Sequence, residues 1–183
     1  MSMSHYVYLK DTAGFSAAAF ENYCKRLGLQ VRVHPDFDFE KSSGFLPMHL
    51  TDGRFGNGGD FLSGFEFWLM DCPKITPARK KLTDLFRKKA PPVEETDFER
   101  AVRGSQWVAD LRCSGADSFE VLLAYVFGAY LVGELGGVFV DHQTGIYYTA
   151  PAAMEEDIRQ IIVRLQEDAS TGVLLTHDFT QWL

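Results

Sequence analysis

Residues 117–141, DSFEVLLAYVFGAYLVGELGGVFVD, form the stretch that decides the fold. The stretch begins with the spacing of a helix capping box, Asp117-x-x-Glu120, and a Gly-Gly pair ends the helix. Residues 121–133 carry no charge, but this run is shorter than the roughly 20 apolar residues that span a membrane. The stretch therefore predicts a helix buried in the core of a domain, followed by a strand over residues 138–141.

The segments around this helix alternate irregularly between strand-like and helix-like patterns. Strands are predicted over residues 5–10, 30–34, 61–70, 106–113, 138–141 and 146–149. Helices are predicted over residues 17–27, 77–89, 96–102, 117–135 and 151–171. Residues 35–60 lack periodicity and are predicted to form one long loop. This order predicts a single α+β domain over residues 1–183, with a mixed, mostly antiparallel sheet covered by helices.

Composition and charge indicate a soluble protein that binds another protein. The net charge is −7 and the isoelectric point is near 5.2, which opposes binding to nucleic acid or to an anionic membrane. The same charge would attract a basic protein partner at long range. The 15 Phe residues are enough to fill a core and to leave aromatic side chains for a partner.

The cysteines and the first residues of the chain predict a cytoplasmic protein. Cys24, Cys72 and Cys113 are odd in number and widely spaced, so they predict reduced thiols rather than a disulfide framework or a zinc site. Residues 1–10 lack the basic region and the apolar region of a secretory signal.

Acidic residues in and around the predicted loop are candidates for partner binding. The predicted partner-binding residues are Asp36, Asp38, Glu40, Asp52 and Asp60. The first three also have the alternating carboxylates of a calcium loop. Such a loop needs glycine at its sixth position and glutamate at its twelfth, where this chain has Lys41 and Pro47. We therefore predict a partner-facing acidic edge, with no metal and no cofactor.

The sequence contains no motif of a conventional active site. No serine lies in a G-x-S-x-G elbow, and the histidines lack the spacing of a zinc protease. An alternative hypothesis is a small hydrolase or metal-dependent enzyme built from Glu66, Asp141 and His142, with His34 as a further candidate. Glu66 lies in an apolar strand, where an inward-facing carboxylate would need a partner or a raised pKa. No base or nucleophile lies near it in the sequence, which favours an outward-facing Glu66.

Three segments resemble small uncharacterised bacterial proteins. The segments are HPDFDFEKSSGFLP at residues 34–47, FLSGFEFW at 61–68 and GGVFVDHQTGIYY at 136–148. The last resembles a glycine–hydrophobic–Asp-x-Gln-x-Gly–aromatic turn, and some of these proteins look like immunity proteins of polymorphic or contact-dependent toxin systems. The resemblance implies a cytoplasmic binder rather than an enzyme.

The leading hypothesis is a protein-binding module of the immunity or inhibitor type, which occupies a basic site on a toxin or effector. The acidic residues would speed association, and exposed aromatic side chains would provide the binding hot spots. A third hypothesis is a homo-oligomer in which the apolar helix packs between copies of the chain.

Overall fold

Seven strands form one antiparallel sheet in the part of the chain that the computed structural model describes, residues 3–39, 41, 43–56, 59–72, 96–115 and 117–176. The strands are β1 (Met3–Leu9), β2 (Gln30–Val33), β3 (Gly44–Thr51), β4 (Asp60–Asp71), β5 (Trp107–Cys113), β6 (Val138–Asp141) and β7 (Tyr147–Tyr148). The helices are α1 (Ala17–Arg26), α2 (Asp97–Val102), α3 (Ser118–Leu135) and α4 (Pro151–Thr171), with a short 3-10 helix at Gly53–Phe55. This architecture confirms the predicted α+β class.

The strand order is β2-β3-β4-β5-β1-β6-β7, so the first strand of the chain lies between β5 and β6. β1 is antiparallel to both neighbours, and β5 and β6 therefore run in the same direction. The chain must cross the sheet to connect two such strands, and α3 makes that crossing. It contacts β4, β5, β1 and β6, which places the helix across the middle of one face of the sheet.

The two faces of the sheet differ because successive side chains of a strand point to opposite sides. We call the face that packs against α3 the inner face. Its core residues include Val7, Leu46, Phe65, Leu111 and Phe139. The opposite, outer face carries the alternate residues of each strand. Tyr6 of β1, Asp110 of β5 and Trp68 of β4 lie side by side on it.

α3 is buried over most of its surface because the sheet covers one side and α4 contacts it as well. Among the described residues it is the one helix that is long and apolar enough to cross a membrane. However, 67% of it is buried inside the protein. The prediction of a core helix is confirmed, and the domain is soluble.

Phe127, in the middle of α3, is the centre of an aromatic cluster in this core. Its ring centroid lies 5.0 Å from that of Phe20 on α1 and 5.4 Å from that of Phe65 on β4. Phe39, from the connection between β2 and β3, stacks on the same ring at 5.6 Å. Aromatic pairs of this kind add to the stabilisation from burial. One core therefore joins α1, α3, the sheet and the β2–β3 connection.

The capping residues of three helices agree with the sequence prediction. Ser16 caps α1, and Thr96 and Glu99 form the predicted capping box of α2. Asp117 caps α3, whereas the carboxylate of Glu120 accepts hydrogen bonds from the loop between β5 and α3. The capping-box spacing correctly predicted where α2 and α3 begin. Of these two helices, only α2 forms the complete capping box.

The prediction of one long loop over residues 35–60 is wrong, because β3 lies within it. Pro47 is unfavourable in a strand, but here it faces the residue that follows β2. The Pro47 carbonyl accepts a hydrogen bond from the amide of His34 at 3.1 Å. Because proline has no N–H, only the last hydrogen bond between β2 and β3 is lost. β3 keeps its register with β4 along its whole length. The helix predicted over residues 77–89 lies outside the described residues.

Replacement of Gly128 by alanine is expected to lower the free energy of unfolding by about 1–3 kcal/mol, the usual cost of overpacking a core. At this position α3 packs closely on Phe139 of β6. An added Cβ would overlap the ring of Phe139. Gly133 is the control, because it is exposed on the same helix and an added Cβ would lie 3.3 Å from Pro151.

Alanine at position 133 is expected to change stability by less than about 1 kcal/mol, because the gain in helix propensity is opposed by the close contact with Pro151. Chemical denaturation of both variants measures the difference. Equal effects at the two glycines would contradict a close contact between α3 and β6 at Gly128.

Candidate functional site

The predicted acidic edge is divided between the two ends of β3. Asp36 and Asp38 precede this strand, and Asp52 and Asp60 follow it. A strand of eight residues spans roughly 25 Å, so these four carboxylates form two separate groups rather than one compact cluster. Glu40 lies outside the described residues.

Three of these carboxylates have structural partners. Asp38 accepts a hydrogen bond from Lys41 Nζ at 2.8 Å. Asp52 is buried and accepts the backbone amide of Arg54 at 3.0 Å and its Nε–H at 2.9 Å. The hydrogen bond from Arg54 to Asp52 raises the pKa of the guanidinium. Asp60 contacts His49 and accepts the hydroxyl of Thr51 at 3.2 Å. Asp52 therefore holds the turn between β3 and β4, while Asp36 remains exposed.

The residues of the predicted enzyme site do not converge. Glu66 is exposed on the outer face, as favoured from the sequence, whereas Asp141 is buried on the inner face beside His5. Glu66 is on β4 and Asp141 is on β6. Strands β5 and β1 lie between these two strands, which are therefore roughly 14 Å apart. His142 is exposed, with its ring 4.6 Å from that of Tyr6. His34 accepts the amide of Asp36 in the β2–β3 connection, far from β6 in the strand order.

Instead, the structure brings together a buried polar cluster of His5, Asp141 and Tyr125. His5 on β1 faces Asp141 on β6, with 3.5 Å between Nδ1 and Oδ1. The Tyr125 hydroxyl of α3 donates to Asp141 Oδ2 at 3.3 Å. The carboxylate also accepts the amide of Gln143 and the hydroxyl of Thr144, each at 2.8 Å, as predicted for an aspartate at this turn.

Burial and hydrogen bonding shift the pKa values of this cluster. Burial lowers the pKa of His5, and the nearby charge of Asp141 opposes that effect only in part. Burial also acts to raise the pKa of Asp141, but hydrogen bonds from Gln143 and Thr144 outweigh it and hold the pKa below its usual value. Burial, followed by the charge of Asp141, raises the pKa of Tyr125. At neutral pH the cluster therefore holds a neutral imidazole beside an ionised carboxylate.

A different set of residues makes the outer face a candidate binding surface. Its partly exposed apolar and aromatic side chains are Tyr6, Tyr8, Phe45, Leu62, Trp68, Met70 and Tyr147. α3 covers the opposite face of the sheet, and α4 contacts α3. Among the described helices, α2 contacts the outer face, where Phe98 meets the rings of Tyr8 and Tyr147.

The centre of this face is a fixed group formed by Asp110, Arg112 and Trp68. Arg112 donates from Nε and Nη2 to Asp110 Oδ2, at 3.0 and 2.7 Å, and these bonds raise the pKa of the guanidinium. The guanidinium carbon also lies 4.6 Å from the ring centroid of Trp68, a cation–π contact. Asp110 is only 1% exposed, whereas the Arg112 side chain is 45% exposed. The buried carboxylate therefore orients an arginine that remains accessible.

Comparison with protein families, with curated proteins and with solved structures finds no match for this chain. The resemblance to immunity proteins therefore stays a prediction, and the two candidate sites rest on the geometry of the chain itself.

Sequence reasoning identified Asp141, but not its neighbours His5 and Tyr125, and it did not identify the outer face. The alternation in HYVYLK places Tyr6 and Tyr8 opposite the core residues of β1, and this signal could have indicated an aromatic outer face. The proximity of His5 to Asp141 depends on the pairing of β1 with β6, for which no local pattern is specific.

Replacement of Asp52 by alanine is expected to lower the free energy of unfolding by about 1–3 kcal/mol, because it removes charged hydrogen bonds from a buried acceptor. Asp36→Ala is the control and is expected to change stability by less than about 0.5 kcal/mol, as for most exposed residues. Denaturant titration of both variants measures these changes. An Asp52→Ala variant as stable as the wild-type protein would contradict the structural role and would leave Asp52 available for partner binding.

Proposed function

We propose that this chain is a cytoplasmic protein-binding module of the immunity or inhibitor type, which holds a basic partner protein on the outer face of its sheet. The observation that carries the proposal is the fixed group of Trp68, Arg112 and Asp110 among partly exposed aromatic side chains. Tryptophan, tyrosine and arginine are the residue types that dominate binding hot spots.

Preorganisation makes this group well suited to tight binding. Long side chains usually lose conformational freedom when they are fixed at an interface, which weakens association. Arg112 is already held by two hydrogen bonds and by the ring of Trp68 before any partner arrives. A partner that packs on Trp68 therefore meets side chains whose orientation is already set.

Charge supports a basic partner. The chain has a net charge of −7, which attracts cationic surfaces at long range and raises the rate of association. Glu66 provides an exposed carboxylate on the outer face itself, directly across the ladder from Arg112. In this proposal Glu66 meets a lysine or arginine of the partner, and Asp36 and Asp38 contribute to steering rather than to contact.

The alternative of a hydrolase built from Glu66, Asp141 and His142 has less support. Glu66 and Asp141 lie on opposite faces of the sheet, and His142 is on the exposed hairpin turn. A general acid or base must lie within hydrogen-bond reach of the group it serves. The separation of these residues therefore favours binding over catalysis.

Trp68→Ala is expected to weaken partner binding at least about thirtyfold, the effect of losing a hot spot worth 2 kcal/mol or more. The partner is first captured from the native cytosol, with the products of neighbouring genes as candidates. The affinity of the purified pair is then measured by calorimetry at low and high salt. Val163→Ala is the matched control, because Val163 is an apolar residue that is 53% exposed on α4.

Binding that weakens in Trp68→Ala but not in Val163→Ala, and that falls with salt, is the expected result. Equal affinity in both variants would remove the outer face as the binding site. A complex that contains only copies of this chain would replace the proposal with a homo-oligomer.

A further inference from the structure

The position of His5 is unusual for a core histidine. It is 2% exposed, its ring stacks on Phe139, and neither nitrogen has a hydrogen-bond partner among the described residues. A buried polar group left without a partner destabilises a fold by about 1–3 kcal/mol. An apolar ring in the same place would avoid this cost, so the imidazole needs another explanation.

The nearest acceptor is a carboxylate that already has another role. Asp141 lies 3.5 Å from His5, and it holds the turn of the hairpin formed by β6 and β7 through Gln143 and Thr144. A protonated imidazole would attract this carboxylate. Asp141 Oδ1, the oxygen nearest His5, is also the acceptor of the Gln143 amide, so the two roles compete for one atom.

The other groups that face the pair do not supply a substitute acceptor. On α3, the Tyr125 hydroxyl donates to Asp141, and its ring stands edge-on to His5 at 5.3 Å. His142, next to Asp141, acts by its charge to lower the pKa of His5. Behind Tyr125, the Tyr148 hydroxyl of β7 donates to Asp157 of α4 at 2.6 Å. On the β5 side, the register partner of His5 is Leu111, which has no charge.

We infer that the His5–Asp141 pair makes the β6–β7 hairpin an acid-sensitive element, which opens more often as the pH falls. The hairpin lies at the end of the strand order, so it can open without separating the other five strands. It also carries Tyr147 on the outer face. The consequence for binding rests on the proposed function: acid would remove part of the partner surface and weaken the complex.

The direction of the pH dependence follows from the pKa of His5. Burial lowers that pKa from its ordinary value of 6.5, so below pH 6.5 an open, hydrated form takes up a proton that the closed form does not. The closed form therefore loses stability as the pH falls from 6.5 toward the lowered pKa. Asp141 has its own pKa below 3.8, so it contributes only at more acid pH. The range between pH 6.5 and 5 thus reports mainly on His5.

Native-state hydrogen exchange of the free protein tests this inference. The amides of Gly145 and Asp141 close the hairpin by donating to Asp141 and Ile146. After correction for intrinsic exchange, their protection is expected to fall by up to about tenfold per pH unit between pH 6.5 and 5. His5→Phe should abolish this fall, and His142→Gln, which removes the exposed neighbouring histidine, should retain it.

Direct titration of His5 in the wild-type protein by NMR is the second measurement, and it requires no variant. A pKa below 6.5 is expected, and a pKa at or above 6.5 would overturn the inference. So would protection that does not change with pH, or a fall that survives in His5→Phe.

These measurements use the free chain, so they are independent of the proposed function. A hairpin that opens in acid while Trp68→Ala leaves partner binding unchanged would contradict only the outer-face proposal. Partner binding that depends on Trp68, together with a hairpin insensitive to pH, would contradict only the acid-sensitive element.

Discussion

Burial of α3 on more than one side is the constraint on which the rest of the structure depends. The helix has no polar face of its own along most of its length, so the sheet and α4 must exclude water from different sides of it. Phe127 contributes to that exclusion by joining α1, β4 and the β2–β3 connection in one aromatic cluster. Because α3 and its neighbours lie on the inner side, the aromatic residues of the outer face remain partly exposed.

Local signals in the sequence predicted the elements that depend on neighbouring residues. The uncharged run of α3 predicted a core helix, and the capping spacing of Thr96 and Glu99 predicted the start of α2. Asp141 accepts backbone and hydroxyl groups of its own turn, as an aspartate at a hairpin should. In each case the interaction spans only a few residues, so the pattern and its physical cause lie in the same segment.

Features that depend on long-range pairing could not be predicted. The strand β3 was missed because proline is unfavourable inside a sheet. Pro47 is tolerated because it lies opposite the end of β2, where few hydrogen bonds remain to be made. The predicted acidic edge was divided because this unrecognised strand separates Asp36 from Asp52. Likewise, the neighbour of Asp141 is His5 rather than Glu66, since strand order decides which side chains meet.

The central location of β1 has a consequence for how the chain folds during synthesis. Its partners on β5 lie about 100 residues further along the chain, and β6 follows later still, so the sheet closes only through distant contacts. Topologies of this kind fold slowly, because a long loop must lose its freedom before the contacts form. While the ribosome is still making β5 and β6, both edges of the first strand stay unpaired, and unpaired edges of this kind favour aggregation of a nascent chain.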